Sequence, residues 1–261
     1  MTANLFHDVR ARLIGVMLFF LISVVARGDA GSGASTPPKT GFPEMYYIPV
    51  QSLGHDRGFS VAGSVPQLRG AGPSGGAVNR LLRSVVEQGI KAAEASVRAT
   101  SGPFVGGGEF TINPVKSLIS LNPKLMSVLL PVTESRPHGT SSPYWLSVTT
   151  RLSGSSSTIG MGDVITNAGF DRLAHSVRSR LGKNKCVTTL GDTPLAAATL
   201  PSAASFRQFA LLPGGLAIGF PSGPSGPLYE CGNLFVVIPY SQVADALSPP
   251  GNMLVKSAPV H

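Results

Sequence analysis

The sequence predicts an α+β fold, antiparallel sheets with two main helices packed on them. Three observations carry that expectation. Two segments, one before residue 100 and one after residue 169, repeat their apolar residues with helical spacing. Between and after them lie groups of short apolar runs with β character, separated by Pro- and Gly-bearing turns. Helices and strands do not alternate one by one as βαβ units would require. Composition sets the frame: 43% of the 261 residues are hydrophobic and only 13% charged, against about 25% in an average globular chain. Such a chain can bury a core, so a disordered tail, a coiled coil and a collagen-like fibre are excluded.

Arg10 and Arg12 precede an apolar run of 14 residues from Leu13 to Ala26. A membrane-spanning helix needs about 17 to 25 apolar residues, whereas the core of a secretory signal has about 7 to 15. Residues 1–26 are therefore expected to be an export signal, with a signal anchor as the alternative. Val24 and Ala26 provide the small residues of a cleavage site, and Gly28 with Ala30 a second one. Residues 27–42, rich in Gly, Ser and Pro, read as a flexible linker. The tripeptide Arg27-Gly28-Asp29 beside the cleavage site is expected to be coincidental. Residues 43–103 are expected to form a small α+β region, 104–248 a larger carboxy-terminal domain, and 249–261 a tail.

Within the first region Phe59, Val61 and Val65 alternate as in a short strand ended by Pro66, and residues 70–76 read as a loop. From Ala77 to Ala99 an amphipathic helix is predicted. Val78, Leu81, Leu82, Val85, Val86, Ile90, Ala93 and Val97 fall on its apolar stripe, and Glu87 with Lys91 and Glu94 with Arg98 are in the favourable i, i+4 order. Gly89 is its weak point, because glycine costs a helix interior about 1 kcal/mol relative to alanine.

Four apolar runs follow, at 104–112, 115–121, 125–132 and 144–152, and read as meandering antiparallel strands. In the last, Tyr144, Leu146, Val148 and Leu152 point one way. Ser147, Thr149 and Arg151 point the other way, toward an expected solvated face. Asn167 is the predicted N-cap of a second helix with Phe170, Leu173, Ala174, Val177 and Leu181 buried and Gly182 as its stop. Strands are predicted at 206–212, 215–220 and 234–240, then a short helix at 241–247 halted by Pro249-Pro250.

Cys186 and Cys231 are the two cysteines. Without a CxxC or a His/acidic cluster at ligand spacing they do not suggest zinc, and in an exported chain they read as a disulfide. No metal or cofactor is expected. The formal charge of +8 is thinly spread. Its densest group is Arg172, Arg178, Arg180, Lys183 and Lys185, which suits a solvated helix face or attraction to an anionic polymer or lipid better than nucleic acid.

The search for catalytic chemistry yields one pattern, Gly72-Pro73-Ser74-Gly75-Gly76, which satisfies G-x-S-x-G. A chain with 31 Gly and 30 Ser spells that motif by chance about 0.4 times. Asp171 and His175 are in the right chain order, but only one helical turn apart. No acidic pair, phosphate loop or zinc-protease motif is present. His55, His138, His175 and His261 are scattered.

The run FALLPGGLAIGFPSGPSGPLYECGNLFVVIPYSQVADAL, Phe209 to Leu247, resembles the end of the RsiV-type extracytoplasmic domain. Ser142 to Leu152, Ile159 to Ile165 and the helix from Phe170 are similar to its upstream part. Val65-Pro66-Gln67-Leu68 and the helix after it are similar to the small PdaC-like domain that precedes it. The resemblance implies an exported α+β domain, of the kind found in lysozyme-sensing anti-sigma factors and in secreted mycobacterial antigens, and carries no catalytic residue across. Only twelve residues precede the apolar run, so no sigma-binding segment is expected. The expectation is a secreted or cell-envelope binding protein with a protein or anionic envelope partner. The alternatives are an ester or cell-wall hydrolase using Ser74, and an anchored ectodomain that senses a ligand such as lysozyme.

Overall fold

The structure is a computed structural model that describes residues 43–50, 59–70, 72–101, 107–136, 141–152 and 157–256. The expected export signal and linker, the Arg27-Gly28-Asp29 tripeptide, and His55, His138 and His261 lie outside the described residues. The fold is α+β, with six α-helices and ten strands among those residues.

β1 (Glu44–Pro49) pairs antiparallel with β3 (Ser64–Arg69), and β2 (Phe59–Ala62) precedes β3. The single strand expected across 59–65 is thus two, because Gly63 takes φ +110 and redirects the chain. Pro66 does not end it. Pro66 sits within β3 opposite Tyr47, in a two-stranded sheet whose edges need no donor from it.

α1 (Gly72–Ser101) begins five residues earlier than expected and takes in the supposed loop. Of its expected stripe Val78, Leu82, Val86, Ile90, Ala93 and Val97 are buried, whereas Leu81 and Val85 are half-buried at its margin. Burial of each of the larger side chains contributes about 1.5–3 kcal/mol. Asn79 fastens the helix to β3, accepting from Leu68 N–H at 2.7 Å and donating to Leu68 C=O at 2.9 Å. Gly89 faces the sheet, where an added Cβ would lie 3.1 Å from Leu146 and 3.3 Å from Phe110. The residue that weakens the helix in isolation therefore lets it lie close against the sheet.

The larger sheet is built around β6 (Leu125–Ser135), which pairs from Leu125 to Glu134 with β7 (Ser142–Arg151). On its other side β4 (Gly108–Ile112) and β5 (Leu118–Leu121) lie end to end, and β2 adds to β4 in parallel. The break between β4 and β5 falls at Pro114, which begins a turn of 3-10 helix and has no N–H for a ladder. The smaller sheet has the order β10-β9-β8, made by β8 (Phe209–Leu212), β9 (Gly215–Phe220) and β10 (Leu234–Pro239).

The two sheets stack. Val128, Leu130, Val132, Tyr144 and Val148 face α1, whereas Leu129 and Trp145 meet Ala210 and Ala217 of the smaller sheet. The face of β7 expected to be solvated is therefore covered: Thr149 is buried, and its hydroxyl shares a 2.6 Å hydrogen bond with Ser127. Polar residues on this face satisfy buried donors and acceptors. Small residues on β9 permit the approach, since a Cβ on Gly219 would lie 2.5 Å from Trp145. Trp145 Nε1 donates to Phe220 C=O at 3.1 Å and Leu234 C=O at 2.8 Å, binding the sheets together.

On the outer side of the smaller sheet lies α3 (Gly169–Leu181), with the expected stripe of Phe170, Leu173, Ala174, Val177 and Leu181 buried. Its first turn is capped by Thr166, whose hydroxyl accepts from Gly169 N–H at 3.0 Å, in place of Asn167. α2 (Met161–Val164) precedes it, and two short helices follow, α4 (Lys185–Leu190) and α5 (Asp192–Ala198). The helix expected at 241–247 is two turns of 3-10 helix. The segment expected to be a tail begins with α6 (Pro249–Lys256), whose Leu254 is buried. Pro249 and Pro250 start this helix instead of stopping one. Neither needs a donor in the first turn, and the Ser248 hydroxyl caps it by accepting from Gly251 N–H at 2.9 Å.

Candidate functional site: a groove beside the disulfide

Cys186 at the start of α4 is joined to Cys231, which ends a 3-10 turn before β10. Asn184 places the first cysteine, its side chain accepting from Cys186 N–H at 2.9 Å and Val187 N–H at 3.3 Å to cap α4. The bridge thereby holds the α4–α5 pair against the Gly/Pro-rich segment 221–230. A groove runs between α5 and that segment.

The groove has two adjoining hollows with Ala197 and Pro227 in common. One, of about 340 Å³, is walled by Leu190, Pro194, Leu228 and Tyr229. The other, of about 240 Å³, is lined by Ser205, Arg207 and Ser222. Leu228 has φ +71, a left-handed conformation unfavourable for a side chain with a Cβ, and is only 2% exposed. The backbone cost of about 1–3 kcal/mol is offset by burying its isobutyl group. The turn so made leaves Tyr229 40% exposed at the groove wall.

Arg207 is fixed at the other end, its Nε and Nη2 donating to Ser222 C=O at 3.3 and 2.8 Å. Among the described residues no carboxylate pairs with it, so its charge stays available to an incoming anion. The larger hollow is mostly apolar, with Tyr229 and the exposed Glu230 on its wall, and the smaller, more polar one holds the positioned Arg207, an arrangement suited to holding a ligand.

The hydrolase constellation does not assemble. Ser74 lies inside the first turn of α1, past the Gly70 turn, and not on a strained strand-to-helix elbow. Asp171 and His175 are on the exposed face of α3, separated from α1 by both sheets. No group of three or more His, Cys, Asp or Glu able to hold a metal occurs among the described residues.

The basic group on α3 and α4 is partly occupied with structure. Arg172 pairs with Asp245, Arg178 Nε donates to Thr199 Oγ1 at 3.0 Å, and Arg180 donates to Gln242 Oε1 at 3.3 Å. Lys183 and Lys185 remain exposed near the bridge. Elsewhere the buried Glu134 carboxylate meets Arg136 Nε at 3.1 Å, and Arg136 reaches Ser96 Oγ at 2.7 Å. Burial, and secondarily the Glu134 charge, pushes the Tyr144 phenol well above its ordinary range. Burial alone does the same for Tyr240, which donates to Leu212 C=O at 2.9 Å.

No family model matches the chain, and no curated protein matches it. Solved structures do. A member of the DUF3298 family from Bacteroides fragilis superposes with a TM-score of 0.53 at 12% identity, covering 84% of this chain and 98% of its own. A DUF3298 family protein from Pseudomonas aeruginosa gives 0.50 at 12% identity, covering 81% and 96%. At this identity the likeness establishes the fold, and the function must be argued from the site.

Proposed function

We propose that the protein is a binding domain of the cell exterior, of RsiV type, that acts through the groove between α5 and residues 221–230 and carries out no covalent chemistry. The observation that carries this reading is the groove itself, a mostly apolar hollow walled by Tyr229 that adjoins a smaller one holding the fixed Arg207. Its partner is an acidic polypeptide segment. An apolar side chain fills the hollow against Leu228 and Tyr229, and a carboxylate meets Arg207. Prolines and aliphatic side chains along the wall favour a polypeptide over a sugar polymer, which asks for a denser set of polar groups.

Export is part of the proposal. Residues 1–26 act as the signal and 27–42 as the linker, and the Cys186–Cys231 bridge suits an oxidising compartment. Among the described residues no helix is long and apolar enough to cross a membrane.

The test is capture from extracellular and envelope fractions on immobilised wild type, Ala197→Trp and Ser74→Ala. Ala197 is exposed and borders both hollows, so an indole there fills the groove without touching the core. Wild type and Ser74→Ala are expected to retain the same acidic protein, and Ala197→Trp to lose it. Hydrolysis of any fraction that Ser74→Ala abolishes would install the enzyme reading instead.

A further inference from the structure

The two edges of the smaller sheet are finished differently. Gly219 N–H donates to Gln208 C=O at 2.8 Å, which aims the odd residues of β9 at β8 and its even residues at β10. By register Leu234, Val236 and Ile238 oppose those even residues. Phe235 and Val237 therefore turn their N–H and C=O groups to the outer edge of β10. The β8 edge is closed by the larger sheet, since Leu211 N–H donates to Ser127 Oγ at 2.8 Å and Arg207 C=O accepts from Ser147 Oγ at 3.1 Å. Among the described residues no hydrogen bond closes the β10 edge. Phe235 beside it is 47% exposed, its ring edge-on to Trp145 at 6.0 Å.

Sheet edges are ordinarily guarded against pairing by lysine or other charges. Here no charged residue occurs from Cys231 to Ala244, and only Pro239 limits the strand. We propose that β10 is the contact strand of a two-fold dimer, pairing antiparallel with β10 of a second copy about an axis at Val236. That register sets Phe235 opposite Val237 of the second copy, and Val237 opposite Phe235. The N–H and C=O groups of Phe235 and Val237 in one copy then meet those of Val237 and Phe235 in the other, four hydrogen bonds in all, and each exposed phenyl ring packs across the strand on a valine. An uncharged apolar strand is matched by an uncharged apolar strand, and the second copy supplies one. Because the β8 edge is closed, this sheet stops growing at two copies and forms no filament.

Sedimentation equilibrium on the full chain, in a mild non-ionic detergent that shields the apolar run at 13–26, tests the proposal with Phe235→Lys and Val237→Pro as comparisons. Wild type is expected to dimerise in the micromolar range, and each variant to raise the dissociation constant at least about tenfold. Amide exchange at Phe235 and Val237 is expected to slow as wild-type concentration rises. If Val237→Pro loses its circular dichroism, Phe235→Lys carries the comparison, because that side chain is already in solvent. A wild type that stays monomeric, or variants that associate as it does, would overturn the dimer. So would protection of the two amides only when a foreign extended peptide is added.

Discussion

Trp145 is the residue on which the stacking of the two sheets turns. Its ring occupies the space that Gly219 leaves, and its indole N–H reaches backbone carbonyls at the ends of β9 and β10. Gly219→Ala would drive a methyl group into the ring, at 2.5 Å from its nearest carbon. Overpacking of this kind costs about 1–3 kcal/mol, so urea unfolding is expected to show that loss together with an altered tryptophan emission. Tyr144 and Tyr240 make a second prediction. Both phenols are held neutral by burial, so their folded-state pKa lies above the unfolded one. The stability they lend is intact below the ordinary phenol range and is lost as pH rises through it toward the folded-state value. Ultraviolet titration is expected to show these two phenols ionising late, together with alkaline unfolding. At this scale the sequence displays residue types but not distances. Gly89 reads as a weak point of its helix, and only the packing reveals it and Gly219 as places where layers touch.

The elements divide by length in how far the sequence discloses them. α1 and α3 are legible because each repeats a full apolar stripe over several turns, and β9 because turn residues bound it on both sides. α4 and α5 span only 6 and 7 residues, too few for periodicity, and are held by tertiary contacts and the disulfide. Asn184 ahead of Lys185 and Asp192 ahead of Pro194 are the cap signals that could have marked them. Since these two helices make one wall of the groove, the site escaped the sequence reading along with them. The cysteine pair was legible and the surface it creates was not. The bridge closes a loop with a sequence separation of 45, which the chain-entropy relation values at about 4 kcal/mol. Cys231→Ser, or reduction, is expected to lower the unfolding free energy by about that amount. It should also open residues 185–198 and 221–231 to proteolysis before the sheets.

At the largest scale, α1, the larger sheet, the smaller sheet and α3 form four stacked layers among the described residues, with hydrophobic clusters between successive layers. The fold class is legible in the sequence because alternating and helical periods are local properties. The stacking of one sheet on the other is not, because Ser127, Ser147 and Thr149 look like surface residues until the smaller sheet covers them. That layering keeps Ser74 apart from Asp171 and His175, and the proposed recognition site is the groove beside the disulfide. The most direct test is an equilibrium binding isotherm for the protein captured from the envelope or extracellular fraction, measured against wild type, Ala197→Trp and Ser74→Ala. Groove-mediated binding predicts an affinity at least about tenfold weaker for Ala197→Trp and unchanged for Ser74→Ala. Undiminished binding by Ala197→Trp would contradict it.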